Sequence, residues 1–447
     1  MDAKVQVLES SFIAPSEPTP RKELWLSSLD LEFRVSTVVG GRSRSGDVHG
    51  VGVGHVPIIY LYHHNSSSDG AMADFFNVAR LKEAMAKALV AFYPLAGRLG
   101  VSSDGRMEIT CNDEDALFVV ARAPDLTTDE VKAFKPSPEL RNLLVPRIEP
   151  SSSSIIMAIQ VTFLKCGGVA LGTALHHISS DASSAFHFFQ TWSAFSTHGD
   201  HAVMELPCHD LHPDALLTLH PKLIFSNPSG PLATKVFTIS RAQIASLKHR
   251  CGGMMSTFCV VSALVWQCTC IARRLVPDSK VCLSFPIDLR RRMRPPLPNH
   301  YFGNAVFRLD VTSTARDIAK EALGSIAGRI KGVIDRMDEE LVRSAIDYFE
   351  MAQIGSRPPK GTLPQTDLYI VSWFGRPHYD ADFGWGKPQL MSLAEHGSGG
   401  CVCLMNNEGT THDVGGSSDI RVVMCMEAVN MKELQWLLGC LVPRTKL

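Results

Sequence analysis

Residues 175–181, Leu-His-His-Ile-Ser-Ser-Asp, place a histidine and an aspartate four positions apart, at His177 and Asp181. The spacing alone is weak evidence of function. Asp occupies roughly 6% of positions in an ordinary protein, so a chain with 17 histidines contains about one such pair by chance. A second pair with the same spacing, His378 and Asp382, overlaps Asp-Phe-Gly-Trp-Gly at residues 382–386. The surrounding residues must therefore decide which pair has a function.

The sequence before His177 predicts two strands of one sheet. Residues 154–164 place apolar side chains on alternating faces, which is typical of a strand. A turn with two glycines follows. Residues 169–175 are apolar on both faces, which indicates a central strand in a sheet that is covered on both sides.

The sequence after His177 predicts a helix. Large apolar residues recur at helical spacing over 185–195, and we expect Ser179 or Ser180 to cap the helix, with Asp181 in its first turn. His177 is thus predicted to lie between a buried strand and the start of a helix. Such a position can present a side chain to a cavity while both flanking elements hold it in place.

The same residues also allow a purely structural interpretation. His176 could be a buried core histidine, His177 a loop histidine, and Asp181 a favourable charge at the positive end of a helix. For His378 the structural interpretation is stronger, because Pro377 precedes it and the following residues are typical of a turn. The local pattern leaves both interpretations open.

Length and composition describe a globular protein of two or more domains. The chain has 447 residues, which is too long for one compact core. Lys and Arg total 44 against 45 for Asp and Glu, so no net charge attracts nucleic acid or an anionic membrane. The most membrane-like run, 258–272, is shorter than the ~20 residues of a spanning helix. We therefore expect a small-molecule partner, no nucleic acid, no membrane association and a monomer.

The start of the chain and its cysteines favour a cytoplasmic location. No cationic segment followed by an apolar stretch opens the sequence, and the 12 cysteines form no CxxC pair. Cys401 and Cys403, with His396 and His412 nearby, are a candidate metal site. Their spacing matches no standard zinc pattern and the segment has the character of a strand, so we predict no metal.

The pattern of elements predicts an α/β architecture with two layers that contain mixed sheets. We assign residues 1–205 to a first domain, 206–231 to a crossover connection and 232–447 to a second domain. Residues 42–55 are predicted to be an exposed insertion, and helices are expected over 74–93 and 315–337. No Gly-rich phosphate loop follows a strand, which argues against a nucleotide-binding fold.

Several motifs together resemble those of the plant BAHD acyl-CoA-dependent acyltransferases. The two family signatures, HxxxD and DFGWG, correspond to His177–Asp181 and to residues 382–386. Further agreement lies at 92–99 (FYPLAGRL), 256–258 (STF), 288–290 (DLR) and 301–304 (YFGN), in the family's order. The likeness covers nearly the whole chain. Residues 24–30 and 372–382 are most similar to hydroxycinnamoyltransferases that use shikimate or quinate.

The resemblance implies a fold and a reaction. It implies two domains of similar topology, of the chloramphenicol acetyltransferase-like type, each with a mixed sheet and flanking helices, and a channel between them. Acyl-CoA would be a co-substrate and no cofactor would be bound permanently. The expected reaction moves a hydroxycinnamoyl group, such as p-coumaroyl, caffeoyl or feruloyl, from CoA to a small hydroxyl acceptor such as shikimate, quinate or glycerol.

The resemblance also implies roles for individual residues. His177 would act as the general base, Asp181 would pair with Arg290 and order the loop, and Trp373 would donate its indole N–H to the oxyanion. Core packing is an equally good role for Trp373. Asp382 is expected to act at a distance, in a turn that holds the second domain together and shapes the CoA entrance. The CoA phosphates are expected near Ser256 and Thr257, helped by Arg290, Arg291 or Arg292, although these arginines could equally form a solvated face.

Three departures from the shikimate-using relatives affect the acceptor. Gly375 stands two residues after the tryptophan where those relatives place an arginine, and Arg376 follows it. Val56-Pro57-Ile58 replaces their Thr-Pro-Ser, and the residue after Asp181 is alanine where glycine is usual. A pocket without those groups binds a carboxylate polyol less well. The alternatives are an N-acyltransferase for a polyamine or an arylamine and a catalytically silent relative that binds ligand.

Overall fold

The computed structural model describes two six-stranded mixed sheets, one three-stranded sheet and the surrounding helices. The described residues are 4–33, 54–63, 75–103, 105–148, 154–209, 225, 226, 228, 230–293, 295–337, 362–407 and 419–441. The predicted mixed α/β architecture is confirmed. Most of the predicted 42–55 insertion and most of the 206–231 connection lie outside the described residues.

The first sheet has the strand order β1-β6-β7-β8-β3-β13. Its strands β6 and β7 run parallel and every other pair is antiparallel. The strands are β1 (Gln6–Ile13), β3 (His55–Tyr62), β6 (Ala116–Ala123), β7 (Met157–Leu164), β8 (Val169–His176) and β13 (Leu390–Leu393). Every residue of β8 is buried, as its unbroken apolar sequence predicts.

The second sheet has the order β11-β10-β12-β14-β15-β9. Its strands are β9 (Leu232–Ile239), β10 (Lys280–Asp288), β11 (Val306–Thr314), β12 (Asp367–Ser372), β14 (Cys401–Asn406) and β15 (Ile420–Glu427). The small third sheet consists of β2 (Lys22–Trp25), β5 (Met107–Cys111) and β4 (Arg98–Val101).

Ten α-helices are described, and their caps follow from the sequence. They are α1 (Ser28–Leu31), α2 (Val78–Ala91), α3 (Thr128–Ala133), α4 (Pro138–Leu144), α5 (Ala182–His198), α6 (Arg241–Arg250), α7 (Thr257–Ala272), α8 (Ala315–Lys320), α9 (Leu323–Asp335) and α10 (Ala428–Leu441). Asn77 caps α2 by accepting a hydrogen bond from the backbone N–H of Arg80, and Ser256 caps α7 in the same way from Cys259. None of the described helices has the length and apolar composition needed to cross a membrane.

The second sheet separates two hydrophobic cores. In β14, Val402 and Leu404 pack in the core that contains α7, whereas Cys403 and Met405 pack in a core shared with the first half of the chain. This division follows from the two-residue period of a strand, which sends neighbouring side chains to opposite faces. The two halves therefore meet across a buried apolar interface.

Strand β13 ties the halves together. It lies in the second half of the sequence, yet it pairs with β3 in the first sheet, with Leu390 opposite Leu61 and Leu393 opposite Ile58. Arg421 on β15 donates to the backbone oxygen of Met391 at 2.9 Å. Residues 390–393, which the sequence assigned to the second domain, thus pair in the first sheet, and a strand this short gives no clear signal of its sheet.

The predicted helix over 315–337 is two helices. The backbone of Glu321 is extended, with φ −67° and ψ 156°, which ends α8 before α9 begins. The side chain of Gln267 on α7 donates to the carbonyls of Ile318 and Glu321 at 2.9 and 3.0 Å. A glutamine on a neighbouring helix thus satisfies carbonyl groups that a continuous helix would have used.

Candidate functional site

The loop that carries His177 joins the last residue of β8 to the first residue of α5. The backbone N–H of His177 donates to the carbonyl of Gly54 at 2.9 Å. Asp181, and not Ser179 or Ser180, caps α5: its side chain accepts a hydrogen bond from the backbone N–H of Ser184 at 3.1 Å. The prediction placed the cap too early, because serine and aspartate are equally good caps and the three residues are consecutive.

Asp181 and Arg290 form a buried, two-pronged ion pair. The Oδ2 atom of Asp181 lies 2.7 Å from Nη1 of Arg290, and Oδ1 lies 3.0 Å from Nη2. The two side chains are only 3% and 6% exposed. A backbone N–H at Ala305 also donates to Oδ2, at 3.1 Å. The predicted pairing is confirmed, and it joins the first half of the chain to the second.

Burial and charge have opposite effects on the protonation of this pair. Burial raises the pKa of Asp181, but the charge and hydrogen bonds of Arg290, with the N–H groups of Ser184 and Ala305, bring that pKa below its usual value. Burial lowers the pKa of Arg290, and the Asp181 charge more than offsets this. Both groups are therefore charged at neutral pH. Removing one partner would leave a buried charge unpaired, at a cost of about 3–5 kcal/mol.

Asn304 holds the His177 loop from the other side. Its side-chain Nδ2 atom lies 2.9 Å from the carbonyl oxygen of His177 and 3.2 Å from that of Ile178. The same nitrogen donates to Oδ1 of Asp30 at 2.9 Å. Burial raises the pKa of Asp30, against the hydrogen bonds from Ser27 and Asn304. Residues from both halves thus fix the backbone that presents His177.

The ring of His177 is stacked on Phe33, with 3.8 Å between ring centroids and an angle of 7° between the planes. His177 is partly exposed and contributes to a cavity of about 50 Å³ between the first sheet and α5. The other lining residues are mostly apolar: Val56, Ile58, Thr173, Leu175, Ser180, Asp181, Ala182, Ala185, Phe186, Phe189 and Trp373. This volume is below the ~300–1,000 Å³ of typical ligand pockets, so binding of a larger group requires lining side chains to move.

Trp373 brings the second half of the chain to the cavity. It directly follows β12 and is 7% exposed. Its ring packs edge-on against Phe186 of α5, with centroids 5.7 Å apart and an angle of 87°. The structure therefore places three predicted site residues, His177, Asp181 and Trp373, on one cavity formed by both halves.

Asp382 forms a turn away from that cavity. Its Oδ1 atom accepts hydrogen bonds from the backbone N–H groups of Gly384 and Gly386, each at 2.9 Å. Both glycines have positive φ, 96° and 98°, where a side chain would be strained. The predicted turn is confirmed, and Asp382 does not belong with His177 among the cavity residues.

The turn packs on the first half of the chain, contrary to the prediction that it holds the second domain together. The carbonyl of Phe383 accepts from Arg80 on α2 at 2.8 Å and from Ser196 on α5 at 3.0 Å. The guanidinium of Arg80 lies 4.2 Å above the ring of Trp385. The DFGWG segment therefore fastens the second half to α2 and α5, which the motif alone cannot show.

The five residues predicted to bind CoA have different environments. Ser256 is exposed at the start of α7 and Thr257 follows it half-buried. Arg290 does not fit the prediction, because its guanidinium is buried against Asp181. Arg292 lies with Nη1 3.4 and 3.3 Å from the carbonyls of Ile334 and Met337 at the end of α9. Of the three arginines, Arg291 is the exposed one.

Arg376 is engaged within the protein. Its Nη2 atom lies 2.7 Å from Oδ2 of Asp288, and Nη1 donates to the hydroxyl of Ser183 at the start of α5. Asp288 also accepts from the backbone N–H of Arg290 at 2.9 Å. The charge of Arg376 is thus balanced by a carboxylate of the protein itself.

The candidate metal site is not assembled in the described residues. No group of three or more His, Cys, Asp or Glu side chains there is arranged to hold a metal ion. Burial raises the pKa of the Cys403 thiol to about 12, and a protonated thiol is a poor ligand. His412 lies outside the described residues.

Asn304, Asp30 and Phe33 support the His177 loop and were not predicted as site residues. Asn304 and Asp30 lie in segments that carry the family resemblance, 301–304 and 24–30, which was the available signal. No sequence pattern indicates a role for Phe33, because its stacking on His177 depends on tertiary structure.

Comparisons with known proteins identify the relatives of this chain. A model of the Transferase family matches residues 47–436. Putrescine hydroxycinnamoyltransferase 1 of Oryza sativa subsp. japonica is 36% identical, covering 95% of this chain and 97% of that relative. Shikimate O-hydroxycinnamoyltransferase of Nicotiana tabacum is 33% identical, covering 87% and 90%. The crystal structure of vinorine synthase has a similar fold, with a TM-score of 0.75 at 24% identity over 98% of both chains.

Proposed function

Because the chain belongs to the BAHD transferase family of acyltransferases, we propose that it moves a hydroxycinnamoyl group from CoA to a small acceptor that carries no carboxylate. The observation that carries this proposal is the shared cavity of His177 and Trp373 at the junction of the two halves. The relatives named as hydroxycinnamoyltransferases support the acyl group.

His177 acts as the general base. An alcohol becomes a better nucleophile as its proton passes to a neutral imidazole, and the thioester carbonyl is attacked in the same step. The resulting imidazolium then protonates the departing CoA thiolate. The proton is returned, the acyl group moves directly to the acceptor, and no covalent enzyme intermediate forms. The stacking on Phe33 and the hydrogen bonds from Asn304 support this role, because they fix the ring plane and the backbone.

Trp373 stabilises the oxyanion through its indole N–H, and the start of α7 binds the CoA phosphates. An N–H group that is already oriented in a low-dielectric cavity stabilises charge that develops in the transition state. Phosphate binding at Ser256 and Thr257 uses the positive end of a helix, and the exposed Arg291 supplies charge. Asp181 and Arg290 act through position only, because their charges neutralise each other.

The environment of the cavity supports an acceptor without a carboxylate. Arg376, the arginine nearest in sequence to the one that shikimate-using relatives carry, is already paired with Asp288. Val56 and Ile58 line the cavity where those relatives have hydroxyl groups. The carboxylate of an acceptor would therefore lose its hydrating water on entering the cavity, and no cation would be there to replace that water. Glycerol or another neutral alcohol fits these walls better than shikimate or quinate.

An amine acceptor is the second candidate. It is favoured by the 36% identity to a putrescine hydroxycinnamoyltransferase. A protonated polyamine requires a carboxylate to hold the ammonium group, and the only carboxylate among the described lining residues, Asp181, is paired with Arg290. An arylamine is uncharged at neutral pH and does not need that partner. The structure thus favours an arylamine over an aliphatic polyamine.

The test is direct turnover with purified protein. p-Coumaroyl-CoA is incubated with glycerol, shikimate, putrescine and an arylamine in parallel, and released CoA and product mass are measured. We expect product with an uncharged acceptor and much less with shikimate. Preferential acylation of shikimate would overturn the acceptor proposal, and binding without any turnover would identify a silent relative.

The role of His177 is tested with two histidine variants. His177→Ala should reduce turnover by at least about a thousandfold, as loss of a general base can. His378→Gln, in the other histidine–aspartate pair, is the matched control and should retain turnover. Thermal melts of both variants show whether the fold is intact. An unchanged rate for His177→Ala would remove this residue from the chemistry.

A further inference from the structure

Thr173 places a hydroxyl group without a hydrogen-bond partner in the wall of the His177 cavity. It lies on β8, is 1% exposed, and its Oγ1 atom has no partner among the described residues. Thr173 lines the same cavity as His177 and Trp373. A buried hydroxyl that forms no hydrogen bond destabilises the folded protein, so its presence requires an explanation.

The surroundings of Thr173 are apolar. On the same face of β8, the neighbouring side chains are Leu171 and Leu175, both in the core shared by the two halves. The residue opposite on β3 is Ile58, and the residue opposite on β7 is Ile159. Packing would be satisfied equally well by valine, which has the same shape without the polar atom. The hydroxyl therefore has a use that packing does not supply.

We propose that the Thr173 hydroxyl binds the phenolic hydroxyl of the hydroxycinnamoyl group and so selects acyl donors that carry one. This inference rests on the proposed function and deepens it. A hydroxyl can donate to and accept from a phenol, which suits a ligand group of the same kind. A site that is built to pair with a substrate hydroxyl discriminates against an analogue that lacks it.

The position of Thr173 along the strand fits that role. It lies on β8 three residues before His176, the last residue of the strand, which corresponds to about 10 Å along an extended chain. That separation leaves room for the vinyl group and ring of the acyl chain between a carbonyl near His177 and a ring hydroxyl near Thr173.

Ser180 serves as a comparison, because it is a second unpartnered hydroxyl in the same cavity at a different distance from the acyl ring. Its Oγ atom also lacks a partner among the described residues and lines the same cavity, but it is three residues after His177, at the reacting end. A contact at that end would affect every acyl donor alike. Thr173 lies farther from the reacting end and is placed to distinguish donors by their ring substituent.

The test compares kcat/KM for p-coumaroyl-CoA with kcat/KM for cinnamoyl-CoA, which lacks the ring hydroxyl. We expect Thr173→Val to lower the value for p-coumaroyl-CoA by roughly 3- to 10-fold, the usual effect of one neutral hydrogen bond, and to leave the value for cinnamoyl-CoA within about twofold. Thr173→Ser, which keeps the hydroxyl, should preserve the donor preference. Ser180→Ala should change both donors by the same factor.

Thermal stability provides a readout that does not depend on activity. Since valine removes an unpaired polar atom, Thr173→Val should raise the Tm by roughly 1–3 °C. Ser262→Ala is the matched control: Ser262 on α7 is also fully buried without a partner among the described residues, but it lies in the other core. It should raise the Tm without changing donor preference.

The outcomes separate the two proposals. Three results would overturn the role of Thr173 while the wild-type enzyme remains active. They are equal losses of kcat/KM for both donors in Thr173→Val, a lower Tm for that variant, and a change of donor preference that only Ser180→Ala causes. A wild-type protein that turns over neither donor with any acceptor would overturn the proposed function and this inference with it.

Discussion

Replacing Asp181 by Asn tests the claim that a buried ion pair holds the loop that carries His177. The substitution keeps the shape of the side chain but removes its charge, which leaves the guanidinium of Arg290 buried without a counterion. The side-chain NH2 group of the new asparagine is itself a donor and would face other donors. Asp181 accepts four hydrogen bonds from Arg290, Ser184 and Ala305. Removing one partner of a buried pair costs about 3–5 kcal/mol.

This free energy translates into a measurable shift in Tm. Unfolding entropy of about 2.1 cal/mol/K per residue gives roughly 0.9 kcal/mol/K for the whole chain if both halves unfold together, so the expected decrease is about 3–5 °C. We expect turnover to fall as well, because the loop that carries His177 loses its anchor. The measurements are a thermal melt by circular dichroism and the rate of CoA release.

The exposed pair between Arg316 and Asp278 is the matched control. Its shortest distance, 2.8 Å, is nearly that of the buried pair, but the side chains are 51% and 78% exposed. Asp278→Asn should therefore leave the Tm unchanged, since water screens an exposed pair. Equal shifts in the two variants, or a shift below about 1 °C for Asp181→Asn, would refute the argument from burial.

Three further predictions concern the support of the site. Gly384→Ala should destabilise the protein by about 1–3 kcal/mol, because φ is 96° and a Cβ would overlap Arg80; Gly167→Ala, with positive φ in open space, should cost less in the same melt. Asn304→Ala should lower kcat about 10- to 100-fold with little change in KM, and a change confined to KM would contradict its role in holding the loop. Because the folded pKa of Asp181 is lowered, its stabilisation is complete above about pH 4 and is lost as the pH falls through the folded value. The Tm difference between wild type and Asp181→Asn should therefore be constant from about pH 5 to 8 and shrink in acid, and a difference that grows in acid would contradict this sign.

Sequence patterns predicted the elements whose period or length is distinctive. The helix α2 and the buried strand β8 both appear as expected, with ends that differ by a few residues. The break before α9 was missed because Gln267, on a different helix, binds the freed carbonyls. Local sequence carries no information about such a distant partner.

The sequence predicted one key contact of the candidate site but not the residues that support its loop. The pairing of Asp181 with Arg290 is observed, and His177 and Trp373, which patterns and resemblance proposed, line one cavity. Patterns and resemblance did not show that this pairing buries the guanidinium of Arg290, which is only 6% exposed. They also could not show that the DFGWG turn packs on α2 and α5, since that contact depends on how the two halves meet.

The pairing of β13 with β3 has a consequence for synthesis on the ribosome. β3 ends at Tyr62, but its neighbour on one side begins only at Leu390. At a synthesis rate of about 5–20 residues per second, on the order of tens of seconds pass between the synthesis of β3 and that of β13. Throughout this interval an apolar strand offers unsatisfied backbone groups to any other nascent chain. The first sheet is therefore completed only after residue 393 has been synthesised, and a truncated product that stops before residue 390 carries a permanently open edge.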